Sequence, residues 1–438
     1  MFHDEWRTIR KCLALVIVSL LTSQVSIRAQ DQSALAKTYT PKLEKILTEN
    51  IAAFWYTKSL DRKNGGYIIN FGPRGEPKGE GTKMIVTQAR MVWLFSRLAR
   101  AGGYGRQREY LEAAELGYRF LTEKMWDRKN GGFYWEVDPT GDQKLKPRKH
   151  LYGQAFALYA ISEYYLASRN KEVLDFAVRF FNLLETKSHD KVYGGYIEFF
   201  NEDWTTPPRT ETSYMSGEPG WKLMNTHLHL LEAMTTFYRA AKLPLARERL
   251  LELITIESNA VVRKDIGACT DKYERDWTPR LDGEYARVSY GHDLENIWLL
   301  IDACDAAGVS NRPLLDLYRT LFDYSLRYGY DHENGGFYDS GAFNKAADKR
   351  NKIWWVEAEA IVSALYMYRM TGDAKYLAVF EKTFGFIEKR IVDWQHGEWH
   401  AVITPDGRTE GDKAHAWKAG YHQGRAMIEC LEILKQKG

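Results

Sequence analysis

Asn64–Tyr67 reads NGGY, Asn130–Phe133 reads NGGF, Tyr193–Tyr196 reads YGGY and Asn334–Phe337 reads NGGF. A weaker copy, HGEW, lies at His396–Trp399. A degenerate copy spans Ile266–Trp277 and shares a DWT tripeptide with the third unit at Asp203–Thr205. The copies recur at roughly 62–73 residues, the sign of one supersecondary unit used about six times. Paired glycines allow a turn with positive φ, and the aromatic residues that follow (Tyr67, Ile68, Ile69; Phe133, Tyr134, Trp135) favour a short strand.

Between the phrases the apolar residues follow a helical period, as in Val86–Leu98, Leu151–Tyr165, Leu228–Tyr238, Leu294–Ile301 and Val356–Tyr368. This predicts twelve helices, over 35–56, 82–102, 107–126, 150–168, 171–187, 222–241, 245–263, 290–307, 312–328, 352–371, 373–390 and 413–436. Twelve helices in six hairpins imply an all-α fold, an (α/α)6 barrel or six-hairpin toroid with short strands in the connecting loops. The turn phrases and the starts of the inner helices then gather at one end of the ring, around a central small-molecule site. An open solenoid is the alternative. No Pro-rich or Ser-rich linker divides residues 31–438, so they read as one catalytic domain. Thr205–Gly220 is the longest irregular stretch and reads as a loop on the cavity rim.

The 438 residues are 45% hydrophobic, 27% charged and 14% aromatic, an ordinary globular balance with an excess of rings. Residues 1–30 hold a basic start (Arg7, Arg10, Lys11), an apolar run from Cys12 to Ile27 and a small residue at Ala29. That pattern is a secretory signal, which implies export, with an uncleaved anchor as the alternative. The rest carries 57 basic and 56 acidic side chains. Such a balance gives no footprint for nucleic acid or, beyond the signal segment, for a membrane, and suits a neutral sugar. Cys269, Cys304 and Cys430 are too few and too irregularly spaced for a disulfide framework, and read as small buried residues.

Histidines are scarce, 11 in all, yet several fall near the starts of predicted inner helices. His227 and His229 lie in MNTHLHLLEA, His292 in YGHDLENIW, and His422 in WKAGYHQGR with His415 seven residues earlier. Arg90 lies in TQARMVWLF, Tyr152 in HLYGQAFAL, and Trp354 and Trp355 in WWVEAEA. Any one of them can be structural, but their recurrence in several repeats points to one cavity. His292 and Glu295 are three apart and share a helix face, so Glu295 is expected to orient the imidazole as an acid/base pair. A zinc site from His227, His229 and Glu295 is disfavoured, because residues two apart diverge on a helix. Glycoside hydrolysis would need two opposed carboxylates, for which Glu232, Glu295, Glu357 and Glu359 are the candidates.

At QARMVW, HLYGQAFALYA, MNTHLHLLEA, YGHDLENIWLL, WWVEAEA and WKAGYHQGR the chain resembles the N-acylglucosamine 2-epimerase superfamily, in its cellobiose and mannobiose 2-epimerase branch. The resemblance runs from about residue 40 to the C-terminus. It implies reversible epimerisation at C2 of a reducing disaccharide or monosaccharide, without nicotinamide, flavin or metal. It implies that His422 and His292 are the acid/base residues and that Glu295 supports His292. Arg90 and His229 would contact the reacting C1–C2 region, and Tyr152, Asn225, Trp355 and Trp417 would line or bind the sugar. A monomer or weak dimer is expected. The chain has Glu357 where disaccharide epimerases often have glutamine, and WKAGYHQGR where WKCPYHNGR is commoner.

Overall fold

The structure, a computed structural model, describes residues 33–215 and 217–436. The signal expected over residues 1–30 lies outside them. Twelve helices run through the described residues: α1 (33–58), α2 (Ile85–Arg100), α3 (Gln107–Phe120), α4 (Leu151–Ser168), α5 (Lys171–Lys187), α6 (Met224–Ala241), α7 (Pro244–Thr255), α8 (Tyr290–Ala307), α9 (Leu315–Gly329), α10 (Trp354–Thr371), α11 (Ala374–Phe386) and α12 (Tyr421–Lys435).

The even-numbered helices form an inner ring in which each packs on the next and α12 returns to α2. They are buried on nearly every side, which is why α4 reads LYGQAFALYAISEYYLAS, apolar all round. The odd-numbered helices cover them from outside and are amphipathic. In α5 only Val173, Ala177, Phe180, Phe181 and Leu184 are buried, at helical spacing. The sixth hairpin is made from the two ends of the chain. α1 packs on α12, and Tyr39 of α1 meets Phe380 and Phe384 of α11 edge-on at 5.0 and 5.4 Å. The ring is therefore closed: the fold is an (α/α)6 barrel, not an open solenoid.

One rim is stitched by short ladders. The residues before each inner helix pair antiparallel with residues beyond the next turn: Lys83 with Val137, Lys149 with Phe200, Lys222 with Tyr273, Val288 with Gly341 and Lys352 with Ile403. A bridge between Phe71 and Ala414 completes the circuit.

The repeated phrase explains itself at this rim. In the second unit Asp127 accepts the backbone N–H groups of Lys129 and Asn130 at 3.0 and 3.1 Å, shaping the turn. Its carboxylate meets the buried ammonium of Lys149 at 2.9 Å. The same pairing recurs as Lys83–Asp61 at 2.7 Å, Lys222–Asp190 at 3.0 Å and Lys352–Asp331 at 2.8 Å; in the last unit Asp393 meets Lys413 at 2.9 Å, while Lys418, in the register of the other lysines, meets Glu398 at 2.9 Å. In the degenerate unit both partners change together. Arg263 stands where the other units have aspartate, and Val288 where they have lysine. Losing one partner alone would strand a buried charge.

The second glycine is needed because an inner-helix side chain lies against it. Gln88 accepts the Tyr67 N–H at 2.9 Å and donates to the Tyr67 carbonyl at 2.8 Å. A Cβ on Gly66, where φ is 68°, would sit 2.6 Å from Gln88 Oε1. Gln154 clamps Phe133 in the same way, at 2.9 Å for each bond.

The expected last helix, 413–436, is shorter than the apolar pattern suggested and begins at Tyr421. Lys413–Gly420 is pulled into turns because Lys418 donates to Glu398 and to the Lys413 carbonyl, each at 2.9 Å. Thr205–Gly220 contains no helix or strand among its described residues. Cys269, Cys304 and Cys430 are free and buried, and no helix among the described residues is long and apolar enough to cross a membrane.

Candidate active site

The inner helices share a register, and the register builds the site. Gln88, Gln154, His227, Asp293, Glu357 and Gln423 occupy equivalent positions facing the turns. The residues before them include His292 and His422, and two before them stand Tyr152, Asn225 and Trp355. Two residues after them come Arg90, Phe156, His229, Glu295, Glu359 and Arg425, which face the centre of the ring.

The structure brings His292 and His422 to one place. Their rings lie 4.7 and 5.7 Å from the Trp355 indole, centroid to centroid. Trp355 is therefore the tryptophan that faces the cavity, while Trp354 packs on His415 at 5.8 Å. His422 is oriented by Glu359, whose carboxylate is 2.7 Å from Nδ1. Burial, then the guanidinium groups of Arg90 and Arg425, hold His422 well below the ordinary imidazole range. Burial also pushes Glu359 up, against the pull of Arg425. Burial brings His292 down to about 4, opposed by Asp271 and assisted by Lys272. Both shifts favour the neutral imidazole.

Arg90 enters from α2. It donates to the Trp417 carbonyl at 2.8 Å and to the Tyr152 hydroxyl at 3.1 Å, and lies over the Phe156 ring at 4.4 Å. Its buried Nε has no partner in the protein. His229 packs on Phe156 at 4.6 Å, and its Nδ1 is 3.1 Å from Glu232. Asn225 gives its backbone N–H to Asp271 at 3.0 Å, and its side-chain oxygen is buried without a partner. Trp417 is 39% exposed and stands at the mouth.

Beneath this layer the guanidinium of Arg425 reaches three carboxylates. It meets Glu295 at 2.5 Å and Glu359 at 2.8 Å, and also pairs with Glu232. Tyr421 donates to Glu232 at 2.5 Å and Trp298 to Glu359 at 2.8 Å. Burial would raise Glu232, but Arg425, His229 and Tyr421 together hold it at about 2. Glu295 goes the other way, to about 7, through burial and then the Glu359 charge.

One expectation changes here. Glu295 does not bond to His292; its carboxylate is taken by Arg425 from the other side of the ring. Of the two acid/base candidates, the imidazole with a carboxylate orienter is His422, and the orienter is Glu359. The zinc set is not assembled, because His227 Nε2 accepts the Tyr196 N–H at 2.9 Å and faces a turn. Glu295, Glu359 and His422 do place ligand atoms within 4.8 Å of one another, but Arg425 already supplies the positive charge that such a cluster attracts. The hydrolase pair fails too. Glu232, Glu295 and Glu359 converge on one arginine, and Glu357 accepts the Phe337 N–H at 3.0 and 3.1 Å, away from the pocket.

Arg425, Phe156 and Tyr421 were not singled out by sequence as site residues, and Glu359 was named only as a candidate hydrolase carboxylate. The signal that finds them is the repeat length itself. Glu359 and His422 are 63 residues apart, Trp298 and Glu359 are 61, and Arg90 and Tyr152 are 62. Lateral partners in the ring sit one repeat away.

Glu357 carries a pH prediction. A carboxylate there accepts the N–H but cannot donate to the Phe337 carbonyl, as Gln88 and Gln154 do at their turns. Burial raises Glu357 to about 8, so the folded protein binds a proton that the unfolded chain gives up. The stabilising contribution is full below the ordinary carboxylate pKa, of about 4.3, and is lost as pH rises towards 8. Glu357→Gln is expected to gain on the order of 1–3 kcal/mol relative to the parent at about pH 8.5, and little at about pH 5. Urea midpoints at the two pH values check this; equal gains at both would exclude the titration of Glu357.

Comparisons with known proteins show the family and the fold. The family model described as N-acylglucosamine 2-epimerase matches residues 66–426. A cellobiose 2-epimerase of Bacteroides fragilis is 31% identical over 397 residues, covering 89% of this chain and 98% of that protein. The structure of cellobiose 2-epimerase from Spirochaeta thermophila is 33% identical and superposes with a TM-score of 0.81, covering 92% of this chain and 98% of its own. The Bacillus thermoamylovorans structure of that activity gives a TM-score of 0.82 at 29% identity, covering 90% and 99%.

Proposed function

The chain belongs to the N-acylglucosamine 2-epimerase family, and from that membership we propose that this sugar isomerase inverts C2 of a reducing-end glucose or mannose unit, in a cellobiose- or mannobiose-type disaccharide. The C2 hydrogen of an aldose is acidic only in the open-chain form, where the C1 carbonyl spreads the charge as an enediolate. An acid/base pair must therefore open the ring first. His292, neutral at working pH, then takes the C2 proton and becomes an imidazolium. The His422–Glu359 pair holds one transferable proton, favoured by the raised Glu359, and returns it to C2 from the opposite side. The protonation pattern is now exchanged between the two sites, and the reverse reaction runs from it. Arg90 faces the developing charge on O1 and O2, for which its unpartnered Nε is available.

The observation that carries the reading is two imidazoles set against one indole, one alone and one on a carboxylate. Incubation with cellobiose, mannobiose or mannose in D2O tests it. The expected product is the C2 epimer carrying deuterium at C2, read by proton NMR. Epimer without label would remove the proton-transfer step; a dominant ketose would make the enzyme an aldose–ketose isomerase, and new reducing ends would make it a hydrolase.

A further inference from the structure

The degenerate unit Ile266–Trp277 turns a charged side chain into the ring where its counterparts are covered. In four units one backbone carbonyl accepts the first N–H of an inner helix: Trp135 from Ile85 at 2.9 Å, Glu198 from Leu151 at 2.8 Å, Asp271 from Met224 at 2.8 Å and Ala401 from Trp354 at 3.1 Å. Trp135, Glu198 and Ala401 are buried, but the Asp271 side chain is 37% exposed. Burial is still the strongest influence on its carboxyl, so the space it opens onto lies inside the ring and not in bulk water. One carboxylate oxygen accepts the Asn225 N–H and the other meets the Lys272 ammonium, each at 3.0 Å. Lys272 is anchored in turn by the Met215 carbonyl at 3.2 Å. Burial would raise Asp271, but Lys272, the Asn225 N–H and His292 outweigh it and hold the group below its ordinary value, as an anion.

His292 comes to the same place from the next inner helix. Its neighbour Asp293 accepts the Cys269 N–H at 3.0 Å, which lays the segment 269–271 along the first turn of α8. Asp271 and His292 therefore lie within reach of each other's charge, and the charged side chains that act on His292 are Asp271 and Lys272. The ring beside His292, the Trp355 indole at 4.7 Å, is neutral. Glu295, three residues along the helix, is taken by Arg425. We propose that Asp271 is the counter-charge of His292, stabilising the imidazolium that forms when this ring takes the C2 proton. This rests on the reading of His292 as an acid/base residue. A cation formed in a pocket that excludes water needs a fixed anion close by. Asp271 gives His292 what Glu359 gives His422, a carboxylate from another unit of the ring. It acts through the imidazole and exchanges no proton with the sugar, so it is a positioning residue.

Cellobiose turnover, calorimetric binding of cellobiose and the NMR titration of the His292 ring are to be measured on the parent, Asp271→Asn and Asp271→Glu. Asparagine keeps an acceptor for the Asn225 N–H but removes the anion and leaves the Lys272 charge unopposed. In Asp271→Asn kcat is expected to fall about tenfold, with Kd within about twofold of the parent, and the His292 midpoint to move down by about one pH unit. Asp271→Glu keeps the charge and should recover most of kcat. Asparagine is the closer match in shape, so a better glutamate variant separates charge from packing. If Asp271→Asn turns over like the parent, or loses affinity with kcat unchanged, the proposal is overturned. It is overturned as well if glutamate is no better than asparagine, or if His292 titrates alike in the parent and Asp271→Asn. If the parent inverts no sugar yet the His292 midpoint still moves down in Asp271→Asn, the pairing stands and the epimerase reading falls.

Discussion

His422→Asn is expected to lower epimerisation by about 10²–10⁴-fold, the usual worth of a positioned acid or base, with a near-parental unfolding midpoint. Asparagine is chosen because its amide can hydrogen-bond to Glu359 in place of imidazole Nδ1, which sits 2.7 Å away. The buried carboxylate then keeps a partner and the fold is spared. What disappears is the nitrogen that would exchange a proton with C2. His292 remains, so a second readout separates the two sides of the reaction. The substrate whose C2 hydrogen faces His292 should still exchange it slowly for deuterium without inverting, whereas its epimer should not exchange. Undiminished turnover in the variant would strip His422 of its role. Equal exchange in both epimers would mean that one base serves both faces.

Arg425→Leu is the largest stability effect to be expected, a loss of about 3–5 kcal/mol in urea unfolding at neutral pH. The guanidinium is 1% exposed and pairs with Glu232, Glu295 and Glu359 at once. Leucine fills much of the volume but leaves three buried carboxyls without a cation. They can stay folded only by taking up protons, so the deficit should shrink as pH falls towards the ordinary carboxylate pKa. A variant as stable as the parent at pH 7, with no pH dependence, would show that Arg425 does not organise the floor. Turnover should fall with it, because Glu359 would no longer be held under His422.

Much of this was legible in the sequence, for identifiable reasons. The paired glycines mark turns whatever surrounds them, and the helical period of the apolar runs is a local property, so hairpin number and order follow from reading along the chain. Arg90, Tyr152, His229, Trp355 and His422 come together because each stands a fixed number of residues into an inner helix. The partners were harder. A three-residue spacing suggested that Glu295 serves His292, since sequence shows neighbours within one helix. The ring instead presents Glu295 to Arg425, 130 residues away. Likewise Glu357 looked like a residue of the sugar site, but it faces a turn, as does its counterpart His227. Which side of a wholly buried helix meets the cavity is not encoded in its hydrophobicity, because every side is apolar enough to be inside. It is encoded in the register against the other repeats, where Gln88, Gln154 and Gln423 already mark the turn-facing position.

The closure of the ring by α1 and α12 has a consequence for how the protein comes into being. Synthesis runs from the amino terminus, so α1 must wait, its inner face uncovered, for nearly the whole chain to be made. Until the last helix emerges, Glu232, Glu295 and Glu359 have no guanidinium, and two edges of the growing arc are bare. Helices α2 to α11 can dock on one another as they appear, but the result is a cup without a bottom. A nascent polypeptide halted before residue 421 therefore lacks both the partner of α1 and the cation shared by Glu232, Glu295 and Glu359.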